Sequence, residues 1–174
     1  MDLRTYEQAV RELDQLDANE FISNGERAHA AILYQVFLGR AKQYMVWFCR
    51  NFGFEEGARP KLIEAFERAV AKGVRIQAIL QERPTPGNKF AEKFSEIAKK
   101  YPGIVSLRIA ADQHGESARM VEIAPSNFCV VDGKAFRWEP DWHLPKAIAS
   151  MNRPDLARQL ADVFESYSKR LRSD

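Results

Sequence analysis

Apolar residues recur along the chain at two spacings, and the switches between them mark out its elements. Leu3, Tyr6, Val10, Leu13 and Leu16 stand three or four apart, which predicts an amphipathic helix ending near Asp17 to Asn19. In GERAHAAILYQVFLGRAK, Ile32, Leu33, Val36 and Phe37 share one helical face. YMVWFC, residues 44–49, breaks the period. Its continuous apolar, aromatic run is short and predicts a buried strand. RPKLIEAFERAVAKGV returns to helical spacing, with Leu62, Ile63, Phe66, Ala69 and Val70 as its inner stripe. Pro60 suits its first turn and Gly73 its end.

The alternation continues. VRIQAIL, residues 74–80, predicts a strand, and ERPTPGN, residues 82–88, a loop. Phe90, Phe94, Ile97 and Ala98 mark a helix closed by Tyr101-Pro102-Gly103. Val105, Leu107 and Ile109 alternate as in a strand, and residues 111–117 form a polar loop. ARMVEIA, residues 118–124, is a further strand. Two more strands follow around Asp132-Gly133, a favoured hairpin turn pair. A last helix from near Pro154 is expected to bury Leu156, Leu160, Val163, Phe164, Tyr167 and Leu171. Strands interleaved with helices give an α/β layered domain with a mixed sheet. The strands on either side of the 60–73 helix should be parallel neighbours. Residues 1–24 are expected to form an N-terminal amphipathic helix packed on a single domain spanning 25–174.

Composition narrows this picture. The chain has 174 residues, enough for one domain with a sizeable core. A net charge of +2 creates no global basic field, although 26 Lys and Arg leave room for a local one. Cys49 and Cys129 lie in apolar runs and are expected as buried free thiols. No apolar run approaches the ~20 residues of a membrane span, so a cytoplasmic protein without membrane contact is expected. Neither the cysteines nor the histidines show metal-ligand spacing, and no cofactor is expected.

Two passages carry a family resemblance. The unit from AAILYQVFLGRAKQYMVWFC through LIEAFERAVAKGVRIQAIL looks like the opening of a phospholipase D-like domain. NFCVVDGKAFRWE, followed by AIASMNRPDLARQLADVFESYSKRL, is similar to its back half, where the family writes HxKxxxxD. The resemblance covers most of residues 26–171. It implies a histidine that attacks phosphorus, a lysine that neutralises the phosphate, and a second motif copy, so one motif per chain implies a homodimer. Carried across, Asp132 matches the motif aspartate. The lysine position falls on Asn127 and the histidine position on Pro125, and neither residue can do that chemistry. The position of the small pair that would cradle phosphate falls near Glu139 and Pro140. The resemblance therefore implies the fold without its reaction, as a binding or dimerisation module for nucleic acid, another phosphodiester or a protein partner.

Other candidate chemistry is sparse. His29 lies on a helix and is read as a surface or helix-face residue. His114 sits in the polar 111–117 loop and His143 in EPDWHLPK. Both are ligand candidates beside the simpler reading of ordered or solvated loops. An enzyme with a relocated site would use His114 or His143 with Asp112, Glu116 or Arg137. A structural subunit completing a partner's site is a third reading. Arg137 on the return strand can bind a phosphate or pair with Glu139 or Glu122. Trp47, Trp138 and Trp142 can stack on bases or pack in the core. The basic C-terminal end reads first as a helix-ending feature.

Overall fold

The computed structural model describes residues 2–54, 56–112, 126–144 and 146–171. The expected 118–124 strand, with Glu122, and the loop residues His114 and Glu116 therefore lie outside the described residues, as does Pro125. The strands are β1 (Ile22–Asn24), β2 (Tyr44–Cys49), β3 (Arg75–Leu80), β4 (Val105–Ile109), β5 (Asn127–Val131), β6 (Ala135–Glu139) and β7 (Ala147–Ser150). The helices are α1 (Leu3–Gln15), α2 (Arg27–Arg40), α3 (Arg59–Ala71), α4 (Lys89–Lys100) and α5 (Pro154–Arg170). One mixed sheet runs in the order β1-β7-β6-β5-β2-β3-β4. β2, β3 and β4 are parallel, as the alternating pattern requires, and the remaining pairings are antiparallel.

The side-chain alternation of β2 explains the layering. Met45, Trp47 and Cys49 point into a core shared with α1, α2, α3 and α4. Val46 and Phe48 point the other way, into a smaller core with Ala157, Phe164 and Leu171 of α5. Both faces are covered, so the strand is apolar throughout. α2 is sandwiched rather than one-sided. It buries Ala30, Ala31, Leu33, Tyr34, Val36, Phe37 and Leu38, which is more than a single stripe. His29 is buried in the α1–α2 contact, its ring stacked 3.9 Å from Tyr6.

Three expected core positions are corrected. Leu3 and Leu16 stand at the two ends of α1, where the helix outruns its support, and both are exposed. Val163 is also exposed. The buried stripe of α5 runs through Ala157, Phe164, Ser168 and Leu171, one helical step away from it. β1 and β7 were not foreseen. They are short and rich in Ala, Ser and Asn, and they are strands because β1 pairs with β7 and β7 with β6. β1 lies inside the 1–24 segment, which therefore adds an edge strand as well as a helix. No described helix is long and apolar enough to cross a membrane.

The β5–β6 hairpin is fixed at its turn. Asp132 and Gly133 both take positive φ, 50° and 65°, the conformation that suits a tight hairpin. The Asp132 carboxylate also accepts the backbone N–H groups of Lys42, Gln43 and Tyr44 at 2.8, 2.9 and 2.9 Å. The motif aspartate thus ties the hairpin to the entry of β2, and its position is architectural. Asp132→Ala removes an ionised acceptor from three donors, so an unfolding free energy lower by about 2 kcal/mol is expected in urea titrations. An unchanged midpoint would contradict this role.

Candidate binding cleft

The hairpin register places two of the four expected site residues, Asn127 and Arg137, on one face of the sheet. Asn127 pairs with Glu139 and Cys129 with Arg137 across β5 and β6. Asn127, Arg137 and Glu139 line a cleft of about 320 Å³, with Asn24, Tyr34, Trp47, Cys49, Arg50 and Trp142 also in its walls. That is the lower end of ligand-sized cavities.

Arg137 is the buried charge at its base, only 4% exposed. Its Nη1 donates to the Tyr34 hydroxyl at 3.2 Å and reaches Glu139 Oε2 at 3.5 Å, while Nη2 donates to Asn24 Oδ1 at 3.5 Å. The guanidinium also lies 5.4 Å from the Tyr34 ring centroid, a cation–π distance. Burial opposes the charge, but Tyr34 and Glu139 leave the pKa above the ordinary arginine value. Arg137 is a fixed cation, and it meets Glu139, one of the two carboxylates named for it; the other, Glu122, lies outside the described residues.

Asn127 is committed at both ends. Its Oδ1 accepts the Arg50 N–H at 2.8 Å and its Nδ2 donates to Glu139 Oε2 at 2.6 Å. It ties the start of β5 to the end of β2 and to the end of β6. Glu139 was read as a misfit near the phosphate cradle and as one of two candidate partners for Arg137. It is the centre of the site, one oxygen taken by both the amide and the guanidinium. The missed signal was the i, i+2 spacing of Arg137 and Glu139 on a strand, which puts both on one face.

The loop after β2 closes the cleft. Phe52 is buried with a left-handed φ of 57°. It is held there by Asn88, whose Nδ2 donates to the Phe52 carbonyl at 2.9 Å while its Oδ1 accepts the Ala91 N–H at the start of α4. At the rim, the Arg50 guanidinium lies 5.4 Å from the Trp142 ring centroid and pairs with Glu82 at 2.9 Å. His143 is exposed. Its Nε2 accepts from Trp142 Nε1 at 3.1 Å, and its backbone N–H donates to Asp141. His143 is absent from the cleft lining, and His114 lies outside the described residues. Trp138 points to the opposite face and is partly exposed. Among the described residues, no group of three or more His, Cys, Asp or Glu is placed to hold a metal ion.

Cys49 and Cys129 are free and buried. Burial pushes both thiols up to about 12, although backbone N–H groups and Arg137 pull against it. A raised pKa favours the folded state while the thiols stay protonated. That contribution is complete below their ordinary value of 9.0 and disappears as pH rises toward about 12. The urea midpoint should therefore hold up to pH ~8 and fall above pH ~9, with little thiol labelling before unfolding. Rapid labelling of the folded protein at pH ~8 would contradict the burial. Glu139→Ala strands the Arg137 charge, so a loss of roughly 3 kcal/mol is expected, most of it recovered by adding Arg137→Met. Equal stabilities for the single and double variants would show that the pair is not coupled.

No protein-family model and no curated protein matches the chain. Solved structures do. The chain aligns with Nuc from Salmonella typhimurium, a phospholipase D family member, at a TM-score of 0.59 and 16% identity, covering 87% of this chain and 95% of that one. NucT from Helicobacter pylori aligns at 0.57 and 11% identity, over 86% and 97%. TrmBL2, an archaeal chromatin protein described as showing a novel mode of DNA binding, aligns at 0.62 and 14% identity, over 96% of this chain and 62% of that one. With its mixed sheet, its Asp-Gly hairpin and its cleft at the hairpin's open end, the chain has a phospholipase D-like fold.

Proposed function

We propose that this domain is a catalytically silent phospholipase D-like module that binds nucleic acid at its cleft. The observation that carries the reading is the Asn127–Glu139 bond. Where the resemblance calls for a lysine to neutralise phosphate stands an amide whose two ends are already bonded, next to a carboxylate. The histidine position is Pro125, which has no nucleophile. No histidine stands among the described cleft residues. A phosphodiester entering the seat of the missing pair meets the Glu139 carboxylate instead of a free cation.

The nucleic-acid side of the reading is supported by the rim. Arg27 and Arg50 line the cleft and Trp142 stands under Arg50, a cation-and-aromatic edge suited to a single strand. A neighbour in fold, TrmBL2, is described as binding DNA. A relocated enzyme centre gains nothing from His143, which bonds Trp142 and Asp141 outside the cleft. A homodimer belongs to the same proposal, since one motif per chain is expected to pair across a two-fold axis. A cytoplasmic location remains part of it as well.

Two assays test the proposal together. Bis(p-nitrophenyl) phosphate should show no turnover at high protein concentration, and single-stranded DNA should be retarded at low salt with affinity falling steeply as salt rises. Turnover would overturn the silent site, and the absence of any shift at low salt would remove the nucleic-acid reading. Sedimentation equilibrium should find a dimer; monomer alone at high concentration removes that part.

A further inference from the structure

The two edges of the sheet are protected unequally. β1, at one end, is three residues long and offers little backbone to a partner. β4, at the other, runs over five residues, and among the described strands it pairs with β3 alone. Its register with β3 has no bulge and its sequence no proline. Its one charge does not guard the edge either. Arg108 turns onto α5, where it donates to the Ser168 hydroxyl at 2.7 Å and to the Ser168 carbonyl at 3.1 Å. An edge left in this state is a template for another strand. The ladder shows what it offers. Ile76 N–H donates to the Ile104 carbonyl at 2.9 Å, and a strand bonds to each neighbour through alternate residues. The backbone groups of Ser106 and Arg108 therefore face β3. Those of Leu107 and Ile109 face outward, as does the Val105 carbonyl, while the Val105 N–H is held by the Tyr101 carbonyl at 2.9 Å. The side chains of Val105, Leu107 and Ile109 lie on the α4 face. An open groove of about 800 Å³ runs there between strand and helix, with Glu92, Ser95, Lys99, Leu107 and Ile109 in its walls.

We propose that the β4 edge is a dimer seam, where a second copy of this chain adds its own β4 antiparallel about a two-fold axis at Leu107. The strand is complementary to itself in that register. Leu107 meets Leu107 and Ile109 meets Val105, so the outward N–H groups of Leu107 and Ile109 find the outward carbonyls. On the α4 face leucine packs on leucine and valine on isoleucine. On the other face Ser106 stands opposite Arg108, so no like charges oppose each other. α4 repeats the symmetry. Glu92, Ser95 and Lys99 are three and four residues apart and share the helix face beside the groove. The axis reverses α4 together with β4. It brings Glu92 of each copy toward Lys99 of the other, with the small Ser95 between them. The seam rests on the homodimer part of the reading above and names its surface. The two clefts, which have no catalytic pair to share, then stand apart at opposite ends of one continuous sheet.

Sedimentation equilibrium of the full chain and its variants tests the seam, with amide hydrogen exchange as a second readout. The chain should dimerise, and the Leu107 and Ile109 amides should gain protection as its concentration rises. Glu92→Lys sets a lysine against Lys99, and Lys99→Glu sets a carboxylate against Glu92. Each should weaken the dimer about tenfold, and the two together should restore it. Both positions are on the helix surface, so the fold is expected to persist in all three variants. Leu107→Pro removes an outward N–H without touching the β3 ladder and should leave a monomer, its fold checked by circular dichroism. A dimer that is unchanged in every variant overturns the seam and leaves the homodimer reading standing. Leu107 and Ile109 amides protected equally at all concentrations also overturn it, and assign the edge to cover from within the same chain. Monomer alone at high concentration removes both the seam and the homodimer.

Discussion

A guanidinium placed inside a protein must meet its opposite charge there, and the functional end of this domain is arranged around that requirement. Arg137 is almost fully buried, and Glu139, two residues along the same strand face, lies within 3.5 Å of it. A pair this far from water gains stability only when its remaining hydrogen-bonding capacity is also met. Tyr34 from α2, Asn24 from β1 and Asn127 from β5 supply most of those bonds, and the buried Arg137 Nε is left without one among the described residues. One ion pair therefore ties together a helix and three strands that are far apart in sequence. It depends in turn on the Asp132–Gly133 turn, because a slip of one residue would put Arg137 and Glu139 on the α5 face.

The fold was legible where the periods were strong. YMVWFC, the alternating run at 105–109 and the stripe of α3 each had one physical solution, and the Asp-Gly turn fixed the hairpin between β5 and β6. β1 and β7 were not legible. Three- and four-residue strands built from Ala, Ser, Ile and Asn have no propensity to advertise, and their pairing is a tertiary event. The ends of α1 and the position of Val163 failed for a related reason. Helical spacing marks which residues could face a core, but only the partner's extent decides which do.

The site was half legible. Asn127 and Arg137 could be placed from the spacing of the motif, and they do line one cleft. The role of Asn127 could not be read, because its bonds run to Arg50 and Glu139, partners fixed by strand pairing rather than by sequence neighbourhood. Asn24 and Tyr34 gave no sequence signal at all, since each enters the cleft through the packing of β1 and α2 beside β6. His143 drew notice as one of three histidines, yet its exposed position outside the cleft shows that a rare residue type is a weaker guide than a strand register.

The central claim is that the cleft around Arg137 and Glu139 is where a ligand sits. Indole N–H resonances of isotope-labelled protein test this directly, because the three tryptophans occupy different places: Trp47 in the cleft wall, Trp142 at its rim and Trp138 on the opposite face. Adding single-stranded DNA should move the Trp47 resonance most, move Trp142 as well, and leave Trp138 in place. Movement of Trp138 with Trp47 unchanged would put the ligand elsewhere and contradict the account.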